Sequence, residues 1–149
     1  MADPSHVART RSRRLRAATT LVVVVVVGLA SRRWPLPGVF AEHTGDAAYA
    51  MAVFFLLRVA VPGRPRLVAA AFAFGFSAVV EVSQALRWQW LVDLRATRLG
   101  ALCLGQGFQW ADLAAYAVGV AVAVAIDRRF VGGPKDFRGG LAPTTPPSR

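Results

Sequence analysis

VVVVVV, Val22 to Val27, is the stretch that decides the fold. Six β-branched residues in a row ordinarily mark a buried strand, because branching at Cβ restricts the side chain in a helix and packs well on a pleated surface. Here the run lies in a longer apolar segment, Ala17 to Trp34, with no charged residue before Arg32. In hydrocarbon every backbone N–H and C=O must be paired within the segment or in a closed barrel. A lone strand is not viable there, and helix wins despite the branching.

That choice depends on the chain being a membrane protein, and composition supports it. The 149 residues are 55% hydrophobic with a mean hydropathy of +0.44, above what a soluble domain of this size carries. Four apolar segments follow one another: Ala17 to Trp34, Asp46 to Val61, Leu67 to Leu86 and Phe108 to Ile126. Crossing roughly 30 Å of hydrocarbon takes about 20 helical residues, so the second segment is short. The expected fold is all-α, a polytopic membrane helix bundle of about four transmembrane helices over 15–130. A basic cytoplasmic tail, 1–14, precedes it, and a disordered tail, 131–149, rich in Gly and Pro, follows. Segment one also has the form of a signal peptide, with RSRRLR before the apolar core and GLAS after it. The downstream segments are apolar enough to insert by themselves, which favours an uncleaved span.

Eighteen basic residues face eight acidic ones, and Lys135 is the single lysine. With abundant Ala, Val and Gly, the Arg bias fits a GC-rich bacterial coding background. A net charge of +10 would ordinarily raise nucleic-acid binding. These basic residues instead flank apolar runs, so no nucleic-acid partner is expected and the charge reports orientation. Thirteen basic residues fall in the two tails and around the second loop, against five in the other two loops. Both termini are therefore expected in the cytoplasm of a bacterium, with the chain in its inner membrane. Arg58, near the cytoplasmic end of segment two, is expected to snorkel to the headgroups. A single cysteine, Cys103, excludes an internal disulfide, and His6 and His43 lie far apart, so neither a metal nor another cofactor is expected.

FSAVVEVSQALRW, Phe76 to Trp88, breaks the apolar pattern with Glu81 and Gln84. Glu81 lies about 21 Å along its helix from Leu67, in the outer half of the bilayer. Ser77, Glu81 and Gln84 fall at i, i+4 and i+7, one polar stripe continued by Ala70 and Ala73. Segment four carries a matching small-residue seam, Gly107, Ala111, Ala115, Gly119 and Ala123, with Asp112 and Tyr116 beside it. Asp46 begins segment two on the same side, and the loop Arg87 to Gly100 adds Arg87, Arg95 and Arg98, with Trp88 and Trp90 as interface anchors. The candidate polar site is thus Asp46, Ser77, Glu81, Gln84, Arg95, Arg98, Asp112 and Tyr116. Each member also has a plainer role open to it: Asp46 and Asp112 as helix caps, the arginines as loop charges on lipid phosphate, Glu81 as a hydrogen bond between helices. GALCLGQG, Gly100 to Gly107, lacks the Lys-Ser/Thr ending of a phosphate loop and reads as a turn or short re-entrant piece.

The ordered motifs TGDAAYA, EVSQ, RATRLGALCLGQGF and DLAAYAVG resemble a family of small bacterial multi-pass membrane proteins known only as a domain of unknown function. The resemblance covers about Leu15 to Arg128. Members are sometimes labelled ribosomal maturation YjgA-like, yet a four-helix membrane chain has no evident route to ribosome assembly. A more distant resemblance is to VanZ-like proteins, which share Glu-x-x-Gln on one helix, then an Arg, then an Asp opening the next. It implies Glu81, Gln84, Arg98 and Asp112 as the shared polar set and a role in the cell envelope, with Tyr116 where Asn is expected.

Three functions compete. The first is a pocket open to the outer leaflet that binds an anionic envelope lipid or lipid-linked headgroup, with Arg95 and Arg98 on phosphate and Glu81 and Asp112 on sugar or amide groups. The second is an embedded enzyme with Glu81 as acid or base, for which no nucleophile pair or metal set is in evidence. The third is an assembly subunit whose polar stripe binds a membrane-protein partner or a second copy of itself.

Overall fold

The computed structural model describes residues 4–34, 37–38, 40–84, 86, 88–104 and 109–131, with the side chains of all of these except 4–6, 40–42 and 84. Six helices make up this part of the chain: α1 (Pro4–Arg33), α2 (Phe40–Ala60), α3 (Arg66–Gln84), the short α4 (Gln89–Ala96) and α5 (Arg98–Leu104), and α6 (Trp110–Ile126), which runs on through a π-helical turn, Asp127–Val131. Among the described residues there is no strand. The valine run lies inside α1, where Val24 is buried and the other five valines are exposed.

The exposed surface is that of a bundle in lipid. Phe72, Phe76, Val79, Val118 and Val122 point outward from α3 and α6 as the valines do from α1, and a soluble monomer does not sustain so large an apolar surface. Helices α1, α3 and α6 are long and apolar enough to cross a membrane, the profile of a membrane protein. α1 has 30 residues, about 45 Å at 1.5 Å per residue, so the basic stretch Arg9 to Arg16 continues the same helix beyond its apolar part.

α2 departs from the picture of four equivalent spans. Its 21 residues give roughly 31 Å, long enough to cross. Glu42, His43, Asp46 and Arg58 leave it less continuously apolar than the three candidate spans. The reason is its position: α2 packs against α1, α3 and α6, Phe54 and Phe55 are wholly buried, and of its described side chains only Leu56 and Ala60 are exposed. A helix shielded from lipid by its neighbours can carry charge that a peripheral one cannot. It runs parallel to α6, and the small-residue seam explains how closely. Ala115, Gly119 and Ala123 are buried, and a Cβ added at Gly119 would come within 2.9 Å of the Ala47 Cα. Ala111 is exposed, so the seam starts one turn later than the four-residue repeat implies, and Gly107 lies outside the described residues.

The bundle's two ends are distinct. At one, Asp127 is fully buried and accepts from Arg58 Nε at 2.9 Å and Arg66 Nε at 2.7 Å. Arg58 also donates through Nη1 to the Arg64 carbonyl at 2.7 Å. Arg58 therefore does not snorkel: it is 4% exposed, because the Asp127 carboxylate at the end of the adjoining α6, 2.9 Å away, offers a better partner than headgroup water. Arg16 reaches the Phe130 carbonyl at the same end. The C-terminal tail beyond Val131, expected to be disordered, lies outside the described residues.

Candidate functional site

At the opposite end, where α3 stops and α2 and α6 begin, a cavity of about 760 Å³ opens. Asp46 and Tyr49 line it from α2, Glu81 from α3, Asp112 and Tyr116 from α6, Arg32 from α1, and Arg98 and Cys103 from α5. Glu81 is 0% exposed. Its Oε1 accepts the backbone N–H of Gln109 at 2.7 Å, and its Oε2 accepts the Tyr116 hydroxyl at 2.9 Å. Gln109 is the N-cap of α6 and makes no side-chain cap, so Glu81 satisfies from another helix a donor that the start of α6 leaves open. The carboxylate near the C-terminal end of α3 thus fastens α3 to α6 while forming part of the cavity wall.

A second cluster joins α2 to α6. His43 Nδ1 lies 3.2 Å from Asp112 Oδ1, and Asp46 follows His43 by three residues, on the same face of α2. One ligand-type atom from each of His43, Asp46 and Asp112 lies within 4.8 Å of the others. Neither aspartate is an N-cap: Asp46 is the seventh residue of α2, and Gln109 holds that position in α6. Asp112 remains in the first turn of α6, where its charge suits the helix dipole.

Beside the polar cavity an apolar groove of about 180 Å³ runs between α1 and α2. Val24, Val25, Gly28, Leu29, Ala48 and Ala52 form its walls, and Arg32, Tyr49, Leu102 and Cys103 border both spaces.

A family model described as a protein of unknown function, DUF2809, matches residues 35–120. The chain belongs to the DUF2809 family. The matched segment takes in α2 through α5 and most of α6, and with them Asp46, Glu81, Asp112 and Tyr116; α1 and its Arg32 lie outside it. No solved structure matches the chain.

Within this DUF2809 bundle the expected polar residues separate. Asp46, Glu81, Arg98, Asp112 and Tyr116 meet at the cavity. Arg95 does not line it: its guanidinium is buried against the end of α3, donating through Nη2 to the Ser83 carbonyl at 2.7 Å and through Nη1 to that of Leu86 at 3.2 Å. It supplies donors for carbonyls that a helix end leaves without intrahelical partners. Ser77 is fully buried one turn below Glu81, and its Oγ has no hydrogen-bond partner among the described residues. The side chain of Gln84 and residue Arg87 lie outside the described residues. Where the sequence predicts a loop, residues 89–104 form α4 and α5. GALCLGQG accordingly starts as helix, and its last three residues lie outside the described part. Trp88 and Trp90 are exposed, with ring centroids 6.1 Å apart.

Arg32, His43 and Tyr49 join the site without being expected there. His43 has a local signal, a His-x-x-Asp spacing that places both groups on one helix face. Its partner Asp112 is 69 residues away, a separation that only the packing of α2 on α6 closes.

Proposed function

We propose that this chain crosses a bacterial cytoplasmic membrane four times with both termini inside, and that the cavity holds the phosphate-bearing headgroup of an anionic lipid or lipid-linked molecule. One observation carries the binding proposal: the polar cavity and the apolar groove share Arg32, Tyr49, Leu102 and Cys103. An amphiphile has the same division, a charged head joined to a hydrocarbon chain. Arg32 and Arg98 would meet the phosphate through guanidinium hydrogen bonds. Asp46 and Asp112 would accept from hydroxyl, amide or ammonium groups of the head, and the groove along α1 would take the first methylenes of a chain.

The fourth crossing is α2, long enough to span and shielded by the other three. The basic residues near the Asp127 end favour the cytoplasm for it, which turns the cavity toward the outer leaflet. Glu81 serves in this scheme as a positioning residue, since both its oxygens accept hydrogen bonds from α6.

Native mass spectrometry of the detergent-purified full chain tests the proposal. With phosphatidylglycerol and phosphatidylcholine offered together, the wild type is expected to retain the anionic lipid preferentially. The Arg32→Ala/Arg98→Ala protein is expected to lose that preference while keeping its melting temperature. Equal retention of both lipids by the wild type, or unchanged preference in the double variant, overturns it.

A further inference from the structure

We infer that His43, Asp46 and Asp112 form a binding site for one divalent transition-metal ion, of the class of Mn²⁺ or Zn²⁺, in the wall of the cavity. The donor set is an imidazole and two carboxylates drawn from two helices. Their donor atoms all lie within 4.8 Å of one another, and bonds of about 2.0–2.2 Å to a shared ion bring ligand atoms to roughly 3–4 Å apart. Small side-chain rotations therefore close the set on one ion. The backbone is already in place, because Gly119 lets α6 lie directly on α2 at Ala47.

Three features separate this cluster from a chance grouping of surface acids. Asp112 is only 8% exposed, and its carboxylate already has His43 within hydrogen-bonding distance. Asp46 stands beside the pair as a second carboxylate, so the group as it stands concentrates negative charge that a cation would neutralise. The donor types are also selective. Calcium and magnesium take all-oxygen sets, while an imidazole with carboxylates suits Zn²⁺, Mn²⁺ or Fe²⁺. Third, Asp46 and Asp112 both line the open cavity, which leaves coordination positions for an outside ligand. This is the arrangement of sites in which a metal acts on a bound molecule, as distinct from closed structural ones. A phosphate held by Arg32 and Arg98 would lie within the same cavity and would be a natural fourth ligand.

The inference does not depend on lipid binding, and its test uses Mn²⁺ alone. The full chain in detergent, stripped with a chelator and passed through a desalting column, is titrated with Mn²⁺ and followed by electron paramagnetic resonance. One tightly bound ion per chain is expected, displaced by Zn²⁺. Binding should weaken at least tenfold in Asp46→Asn and in His43→Gln, and be unchanged in Asp93→Asn, an exposed acid on α4 away from the cavity. Melting temperatures of the ion-free proteins show that each variant is folded; should His43→Gln melt early, Asp46→Asn, at a half-buried position, carries the comparison. No saturable ion in the wild type, or wild-type affinity in Asp46→Asn, overturns the inference. Phosphatidylglycerol retention measured on the same samples with and without chelator keeps the two proposals apart: saturable Mn²⁺ without lipid preference leaves the metal site and removes the headgroup, and the reverse removes the metal site alone.

Discussion

Where α6 ends, Asp127 is enclosed between Arg58 and Arg66, each nitrogen within 2.9 Å of a carboxylate oxygen; where α6 starts, Asp46, Glu81 and Asp112 stand around a cavity with Arg32 and Arg98 on its wall. Both ends put arginines and carboxylates together inside an apolar bundle. At the first end the charges meet in contact. At the second they are spread around open space, and the helices are joined there by hydrogen bonds from Gln109 and Tyr116 to Glu81 and by the contact of His43 with Asp112. Ion pairing in contact suits a group whose task is to hold helices; charge arranged around a cavity suits one whose task is to meet something else.

The largest effect is expected at the closed end. Asp127→Ala leaves Arg58, 4% exposed, without its carboxylate, and breaking a buried pair costs about 3–5 kcal/mol. Thermal unfolding in detergent should show a deeper loss than any single substitution around the cavity produces. Replacing both partners, Arg58→Met with Asp127→Leu, removes the charges together and should recover most of that loss, since Arg66 is exposed enough to find water. A double variant no better than Asp127→Ala would mean that the ion pair is more than a local balance of charge.

Next comes the contact that joins the two ends. Gly119→Ala drives a methyl group into the Ala47 backbone, and overpacking of this kind costs roughly 1–3 kcal/mol. By pushing α6 off α2 it should also part Asp112 from His43 and Asp46, so Mn²⁺ affinity should fall together with stability. Unchanged Mn²⁺ affinity in a destabilised Gly119→Ala protein would uncouple the seam from the cluster. Smaller again is Tyr116→Phe, which deletes one hydrogen bond to Glu81; such bonds within membranes contribute about 0.6 and at most about 1.7 kcal/mol. The ring stays in place against Tyr49, so lipid retention should hold even as melting temperature drops slightly.

Much of this contrast is legible in the residues, and the exceptions share a cause. The valine run reads as helix because hydrocarbon leaves the backbone no other partner, and Glu81, Asp112 and Tyr116 read as neighbours because helical spacing puts each on an inward face. Asp127 escapes such a reading because it directly follows the apolar run of α6, next to Arg128 and Arg129, where a charge looks like the start of a tail. Only the packing of α2 and α3 on α6 brings Arg58 and Arg66 to it, and without Asp127 as a partner Arg58 reads as a residue bound for the headgroups. Arg95 and Arg98 look alike in RATR, yet the corner between α4 and α5 turns one onto the end of α3 and the other to the cavity. That corner depends on Gly100, where a Cβ would fall 2.6 Å from the Leu94 carbonyl carbon. α2 looks short for a related reason: its first turns, with Glu42, His43 and Asp46, do not read as part of an apolar span, although the helix packs among three others.

The smallest change in stability is expected from Arg98→Ala, and it is the most informative about the open end. Arg98 is exposed at the first turn of α5, and substitutions at exposed positions without a buried partner are usually close to neutral for folding. Arg95→Ala, three residues earlier, removes a buried guanidinium that serves two carbonyls of the α3 end and should lower the melting temperature clearly. The two variants remove the same charge from the same sequence motif, so any general electrostatic effect on lipid retention is common to both. If the cavity binds a phosphate, Arg98→Ala alone should lower retention of phosphatidylglycerol per folded chain, and Arg95→Ala should lower only the yield of folded chain. The opposite assignment, with Arg98→Ala destabilising and lipid retention following Arg95, would make the cavity end as structural as the Asp127 end and erase the difference between them.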